Sequence, residues 1–203
     1  MWYKGNLHTH TTDSDGDWAP EEVVRRYKAR GYDFLAISDH HLYTDYHSQY
    51  GDEHFLILPA VEAAASLIDG GGIFRKVHHM NGILGPKALV DAAPLPPLRH
   101  GERVGPFRYH GSWDGLQAAA DMAKYLKDRG MIVTYNHPIW SRVEGADFLD
   151  TPCVDILEIL NYGTEQESCT GFDTTWWDVM LRSGRRMMAD AADDAHAVSW
   201  DAF

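Results

Sequence analysis

The stretch that decides the fold is "HTHTTDSDGD", residues 8–17. Two histidines stand two apart, and acids crowd in just behind them. Side chains alternate along an extended strand, so His8 and His10 share one face if a strand ends here. Three readings compete for this pattern: a solvated loop, a core strand with stray polar residues, and a metal site. The rest of the chain decides among them.

Working outward, apolar segments of strand length alternate with helical patterns, which predicts an α/β protein. "WYKGNLH" (2–8) reads as a first strand and "APEEVVRRYKARG" (19–31) as a helix. Pro20 suits its first turn, Glu21 and Glu22 favour its positive end, and Gly31 suits its stop. "DFLAISD" (33–39) and "HFLILPAVE" (54–62) read as strands. "AAASLI" (63–68), the turn "DGGG" (69–72) and "IFRKVHHM" (73–80) predict a hairpin. "SWDGLQAAADMAKYLKDRG" (112–130) is a helix capped by Ser112, followed by a strand at 131–136. Further strands are expected at 154–161 and 185–191, with a helix at 172–183 between them. Residues 86–111, rich in Pro, Gly and basic side chains, read as a long loop and a candidate lid.

Metal-capable residues fall at or just after the ends of these strands. His8 and His10 end the first, His40 the second and Glu62 the next. His79 lies in the hairpin strand, His137 follows "IVTYN", and Asp194 and His196 follow "MMADA". In a barrel of parallel β/α units those ends converge on one face. A solvated loop would not repeat such a placement, and a core would not tolerate so many unpartnered polar groups. Imidazole with carboxylate suits divalent Zn, Mn or Fe. His78 and His79 compete, because alternation turns only one of them inward. His41, His47, His54, His100 and His110 do not join the pattern.

The bulk numbers narrow the function. The 203 residues fit a single domain spanning 1–203, with 44% apolar and 24% charged residues. A net charge of -12 argues against a nucleic-acid groove and an anionic membrane surface. Cys153 and Cys169 form no C-x-x-C pair and read as ordinary thiols of a reducing compartment. The N-terminus lacks the apolar core of a signal peptide, so a cytoplasmic protein is expected. Oligomeric state is left open by these features.

Taken together, the motifs resemble those of the polymerase and histidinol phosphatase (PHP) family. The H-x-H with "SDG" behind it is similar to the first motif of that family. "SDH" (38–40), "NHP" (136–138) and "DAH" (194–196) are similar to three more, in order. The resemblance implies a distorted (β/α)7 TIM-like barrel holding two to three divalent metal ions (Mn, Fe or Zn). One ion would be held by His8, His10, Glu62 and Asp194. A second would share Glu62 and add His79 and His137, with "HMNG" (79–82) favouring His79 over His78. A third would take Asp15, His40 and His196. Asp15 stands where many members have His, which tilts that ion toward Mn or Fe.

The implied chemistry is hydrolysis of a small-molecule phosphate ester through a metal-bridging hydroxide. A bound metal lowers the pKa of water from about 15.7 to about 7. Glu62 is the expected bridging carboxylate, and Asp39 the expected orienter of an imidazole. Glu158 is a second candidate for such support. Arg142 is expected on substrate, since its fork matches phosphate oxygens. Arg99, Arg103 and Arg108 are candidates to close over it from the long loop, and Trp140 and Trp113 to line the pocket. Two other functions compete: phosphodiester or exonuclease cleavage, which the missing basic face disfavours, and a metal-binding structural or regulatory module. An amidohydrolase reading is weakened by the lack of a lysine at a strand-end bridging position.

Overall fold

The computed structural model describes residues 1–196. Its eight strands are β1 (Gly5–Asn6), β2 (Phe34–Ile37), β3 (Leu56–Ile68), β4 (Phe74–Leu84), β5 (Phe107–His110), β6 (Met131–Tyr135), β7 (Ile156–Asn161) and β8 (Met188–Ala192). Seven of them form a nearly closed, barrel-shaped sheet in the order β1-β2-β3-β4-β6-β7-β8. A parallel bridge between Thr9 and Ala195 ties the two ends of the order together. The His10 amide also donates to the Ala195 carbonyl (3.1 Å), and the Asp194 amide to that of His8 (2.9 Å).

Two features depart from a regular β/α barrel. The expected strand at 54–62 and the first hairpin arm are one continuous 13-residue strand, β3. Its first half pairs with β2, and its last residues pair with β5 on the same edge. The Asp69–Gly72 turn reverses the chain so tightly that β4 must run antiparallel to β3, and it is antiparallel to β6 as well. Asp69 closes that turn by accepting from the amides of Gly71 (2.8 Å) and Ile73 (2.9 Å). Glu62 therefore lies in the middle of β3, and His79 in the middle of an antiparallel strand, rather than at parallel strand ends.

The helices cover the outside. α1 (Pro20–Ala29) begins with Pro20, has Glu21 and Glu22 in its first turn, and buries Val23, Val24 and Tyr27 against Leu35, Ile37 and Ile57. Each such side chain stabilises the fold by roughly 1.5–3 kcal/mol on full burial. α4 (Gly115–Lys127) sets Ala119, Met122, Ala123 and Leu126 against Met80, Met131 and Val133. Its cap is Asp114, which accepts from the Gln117 amide (3.0 Å), and not Ser112. α7 (Thr174–Arg182) follows the short helices α5 (Gly145–Phe148) and α6 (Tyr162–Ser168). No described helix is long and apolar enough to cross a membrane. Both cysteines are free and exposed.

The stretch 86–111 is not an unstructured loop. It contains α3 (Lys87–Ala92) and β5, and it buries Leu98 and Val104. It is laced to the 41–44 turn: Val104 donates to the His41 carbonyl (3.0 Å) and Gly101 to that of Tyr43 (2.9 Å). The local spacing of Pro and Gly hides this, because the partners are far away in sequence.

Candidate metal centre

The β3–β4 register resolves the choice between His78 and His79. Ala64 pairs with His79 and Glu62 with Asn81, so Glu62, His79 and Asn81 share the inner face. His78 points to the other side. There its Nε2 lies 2.9 Å from the Gly115 carbonyl, and its ring stacks on Trp113 at 4.6 Å. Trp113 thus packs beneath α4 instead of lining the site.

Four imidazoles (His40, His79, His137 and His196) and four carboxylates (Asp15, Glu62, Glu167 and Asp194) line one hollow of about 300 Å³, with Trp140 and α6 on its wall, and His8 and His10 stand behind Glu62 and Asp194. Glu62 is wholly buried at its centre. Its Oε1 lies 3.1 Å from His79 Nδ1, 3.3 Å from His8 Nε2 and 3.5 Å from His137 Nε2. Its Oε2 lies 2.9 Å from His40 Nδ1 and 3.3 Å from His10 Nε2. Asp194 Oδ1 sits 3.1 Å from His8 Nε2 and 3.0 Å from His10 Nε2. Asp15, at the mouth, is 3.5 Å from His40 Nε2 and 3.4 Å from His196 Nε2.

Four ligand groupings emerge from these atoms: His8, His10 and Asp194; His8, Glu62 and His137; His40, Glu62 and His79; and His10, Asp15, His40 and His196. His79 groups with His40, and His137 with His8, whereas the family resemblance places His79 and His137 on one ion. Five buried atoms here lack hydrogen-bond partners: His8 Nε2, His10 Nε2, His79 Nδ1, Glu62 Oε2 and Asp194 Oδ1. Buried polar atoms are normally satisfied. A donor set of imidazole nitrogens and carboxylate oxygens, orphaned together and facing one another, fits divalent cations.

Outer contacts hold the ligands in place. Glu158 lies 2.9 Å from His8 Nδ1 and also accepts from the His137 amide (2.9 Å) and the Asn161 amide group (2.8 Å). With its far nitrogen held, His8 turns Nε2 inward. Ser141 Oγ lies 3.3 Å from His137 Nδ1. Asn136 donates to Glu62 Oε1 (2.8 Å) and Asn81 Oδ1 (3.0 Å), and Asn161 donates to Asp194 Oδ2 (3.1 Å). These three asparagines were not anticipated. Asparagine is depleted in strands, so Asn81 in β4 and Asn161 at the end of β7 were the available signal, while Asn136 follows directly on β6.

Asp39 has a different task from the one expected. Its Oδ1 accepts from the Thr11 amide (2.8 Å) and Ser14 Oγ (2.6 Å), and its Oδ2 from Thr11 Oγ1 (2.8 Å). It fastens the "TTDSDGD" turn and makes no direct bond to an imidazole, although Ser14, which donates to it, lies 3.5 Å from His10 Nδ1. Gly16 completes that turn, since a Cβ there would stand 2.7 Å from the His10 carbonyl carbon. Asp194 and His137 take positive φ, 49° and 25°, a backbone conformation that clusters at functional sites.

The electrostatics follow from crowding. Burial works against charge on Glu62 and Asp194, but the surrounding imidazoles hold both well below the usual carboxylate range. Burial also opposes charge on His8 and His10, yet Asp194 and Glu62 raise both, His10 to about 9. His79 is pushed down to about 4 by burial. Protonated imidazoles thus balance the central carboxylates, a role that divalent cations take over when they bind and displace protons.

Arg142 is exposed on the lip, outside the hollow, and its guanidinium lies 3.5 Å from the Phe74 carbonyl. Trp140 sets its ring edge-on to His137 (5.1 Å) and donates to Glu167 (2.8 Å). Of the three arginines of the 86–111 stretch, Arg108 lines the neighbouring cavity, while Arg99 and Arg103 do not.

No family model matches the chain, and no curated protein matches it. Solved structures do share its fold. A two-domain protein from Bacteroides vulgatus, containing a predicted PHP-like metal-dependent phosphoesterase, aligns at TM-score 0.56 and 15% identity. That alignment covers 96% of this chain and 52% of the other, so this chain spans about half that protein's length. A protein from Bifidobacterium adolescentis, assigned as a metal-dependent phosphoesterase, aligns at TM-score 0.60 and 16% identity over 99% of this chain and 90% of its own. An amidohydrolase from Chromobacterium violaceum, solved with sulfate and no metal, aligns at TM-score 0.58 and 16% identity over 96% and 88%. The fold is that of PHP-like proteins.

Proposed function

We propose that this chain is a divalent-metal-dependent phosphoesterase acting on a small phosphorylated molecule. The observation that carries the reading is the set of five buried nitrogen and oxygen atoms that crowd against one another beside one hollow without hydrogen-bond partners. Glu62 would be shared between ions, since its Oε1 faces His8, His79 and His137 and its Oε2 faces His10 and His40. His8, His10 and Asp194 complete one group, His79 and His137 support Glu62, and Asp15, His40 and His196 form the outermost.

Bound divalent cations supply a water acidic enough to attack at neutral pH and neutralise charge on the phosphoryl group. The chain does the rest. Glu158 and Ser141 hold His8 and His137 so that their Nε2 atoms face inward. Trp140 walls the hollow beside them and limits water entry. Arg142 binds substrate at the lip, where a planar guanidinium pairs two oxygens at once. Nucleic acid and membranes are not proposed as partners, given a net charge of -12. A reducing, cytoplasmic setting suits the free thiols.

Chelator-treated protein reloaded with Mn, Fe or Zn tests this directly. It should release p-nitrophenol from p-nitrophenyl phosphate, and chelation should stop it. Release from the bis-ester but not the monoester would instead favour a diesterase. Metal uptake without turnover of any phosphate ester would favour a structural module. The amidohydrolase neighbour supports one further reading, amide hydrolysis, which the arginine-lined lip disfavours because an amide brings no anion to pair.

A further inference from the structure

The site continues into a second cavity of about 440 Å³, and His40, His79 and Trp140 line both spaces. That size falls within the roughly 300–1,000 Å³ of small-molecule sites. The two spaces differ in charge. The metal hollow is walled by carboxylates, Asp15, Glu62, Glu167 and Asp194. Among the described residues no carboxylate lines the second cavity, which instead gathers Arg75, Lys76, Arg108 and Arg142 around the apolar faces of Phe74, Pro106 and Trp140.

The four cations are not equivalent. Arg75 is engaged by Asp69 (2.7 Å from Nε), and Lys76 by Asp147 (2.8 Å) and Glu144 (3.2 Å). Arg108 and Arg142 have no carboxylate partner among the described residues. Both are exposed, and in a chain with twelve more acids than bases two arginines beside one cavity, without an acid to pair them, make a positive wall that an external anion can neutralise. They come from separate elements: Arg108 from β5, held parallel to β3, and Arg142 from the turn after His137, where it takes a φ of 59°.

We infer that this cavity is a leaving-group subsite that selects phosphate esters carrying a second oxyanion on a ring-sized apolar body. The inference rests on the phosphoesterase reading and names its substrate class. The scissile phosphate lies at the metal hollow, the body passes Trp140, and the far oxyanion pairs with Arg108 and Arg142.

The test uses hydrolysis-inert probes on the metal-loaded full chain. Calorimetry compares 4-carboxybenzylphosphonate with its neutral amide, 4-carbamoylbenzylphosphonate, which differ only in the far charge. 1,4-Xylylenediphosphonate shows whether a phosphate-type or carboxylate-type oxyanion is preferred. Either acid should bind about tenfold more tightly than the amide. R108A and R108K should each be made, and R108A should bring the acid-to-amide ratio close to one, while R108K retains part of it. Equal affinity of acid and amide in the wild type, or an unchanged ratio in R108A, overturns the subsite and leaves the phosphoesterase reading standing. If no phosphonate binds and p-nitrophenyl phosphate is not hydrolysed, both readings fail.

Discussion

In the proposed reading Glu62 and the imidazoles around it carry the chemistry, so the sharpest predictions concern single side chains. His10 contributes to two ligand groupings. His10→Ala should therefore lose metal and phosphatase activity together, and elemental analysis showing full metal with no activity would contradict a ligand role. Glu158→Gln keeps the shape but removes the charge beside His8 Nδ1. Metal affinity, measured by competition with a chromophoric chelator, should fall roughly 10–100-fold. Arg142→Ala should raise KM with metal retained, and unchanged kinetics would remove Arg142 from substrate binding. The ligand candidates were legible because histidine and acid recur beside every apolar run. Asn81, Asn136 and Asn161 were not, since an amide that serves a ligand carries no metal-binding signature of its own. Asp39 neighbours His40 in sequence, yet its carboxylate is taken by Thr11 and Ser14, contacts that adjacency in the chain does not reveal.

At the level of elements, β7 and β8 place Glu158 opposite Asp190. Asp190 is half-buried, but both its carboxylate oxygens are shut off from solvent without a hydrogen-bond partner, and that desolvation followed by the nearby Glu158 pushes it up to about 8. An acid raised in the folded state contributes stability that is fully present below its ordinary value and is lost as pH rises through the folded one. Between pH 5 and 9, chelator-treated wild type should lose more stability than Asp190→Asn, which keeps a neutral group there. Parallel pH profiles of the two unfolding midpoints would contradict this account. Helices α1 and α4 were readable from apolar spacing and end signals. The hairpin turn was readable too, but its consequence for strand direction was not: antiparallel pairing of β4 with β6 depends on a contact 50 residues away in the chain. The same holds for α3 and β5, whose stability comes from docking on distant residues.

For the whole molecule, the candidate metal centre lies where the barrel closes. His8 and His10 lie at the beginning of the described chain and Asp194 and His196 at its end, and backbone bonds join those segments. A ligand that binds the closed barrel and not the unfolded chain stabilises it by mass action, by about 2.7 kcal/mol at a hundredfold excess over Kd. Mn or Zn should thus raise the melting temperature of chelator-treated protein, and His10→Ala should blunt that rise. Barrel class and a shared rim were legible because strand ends repeat the same residue types. The grouping of His79 with His40 was not, because it depends on the reversed β4. The most direct measurement is anomalous diffraction from crystals grown with manganese. The account predicts scattering peaks enclosed by His8, His10, Glu62 and Asp194. Crystals that show manganese only at the outer surface, with none inside that ring, would contradict it.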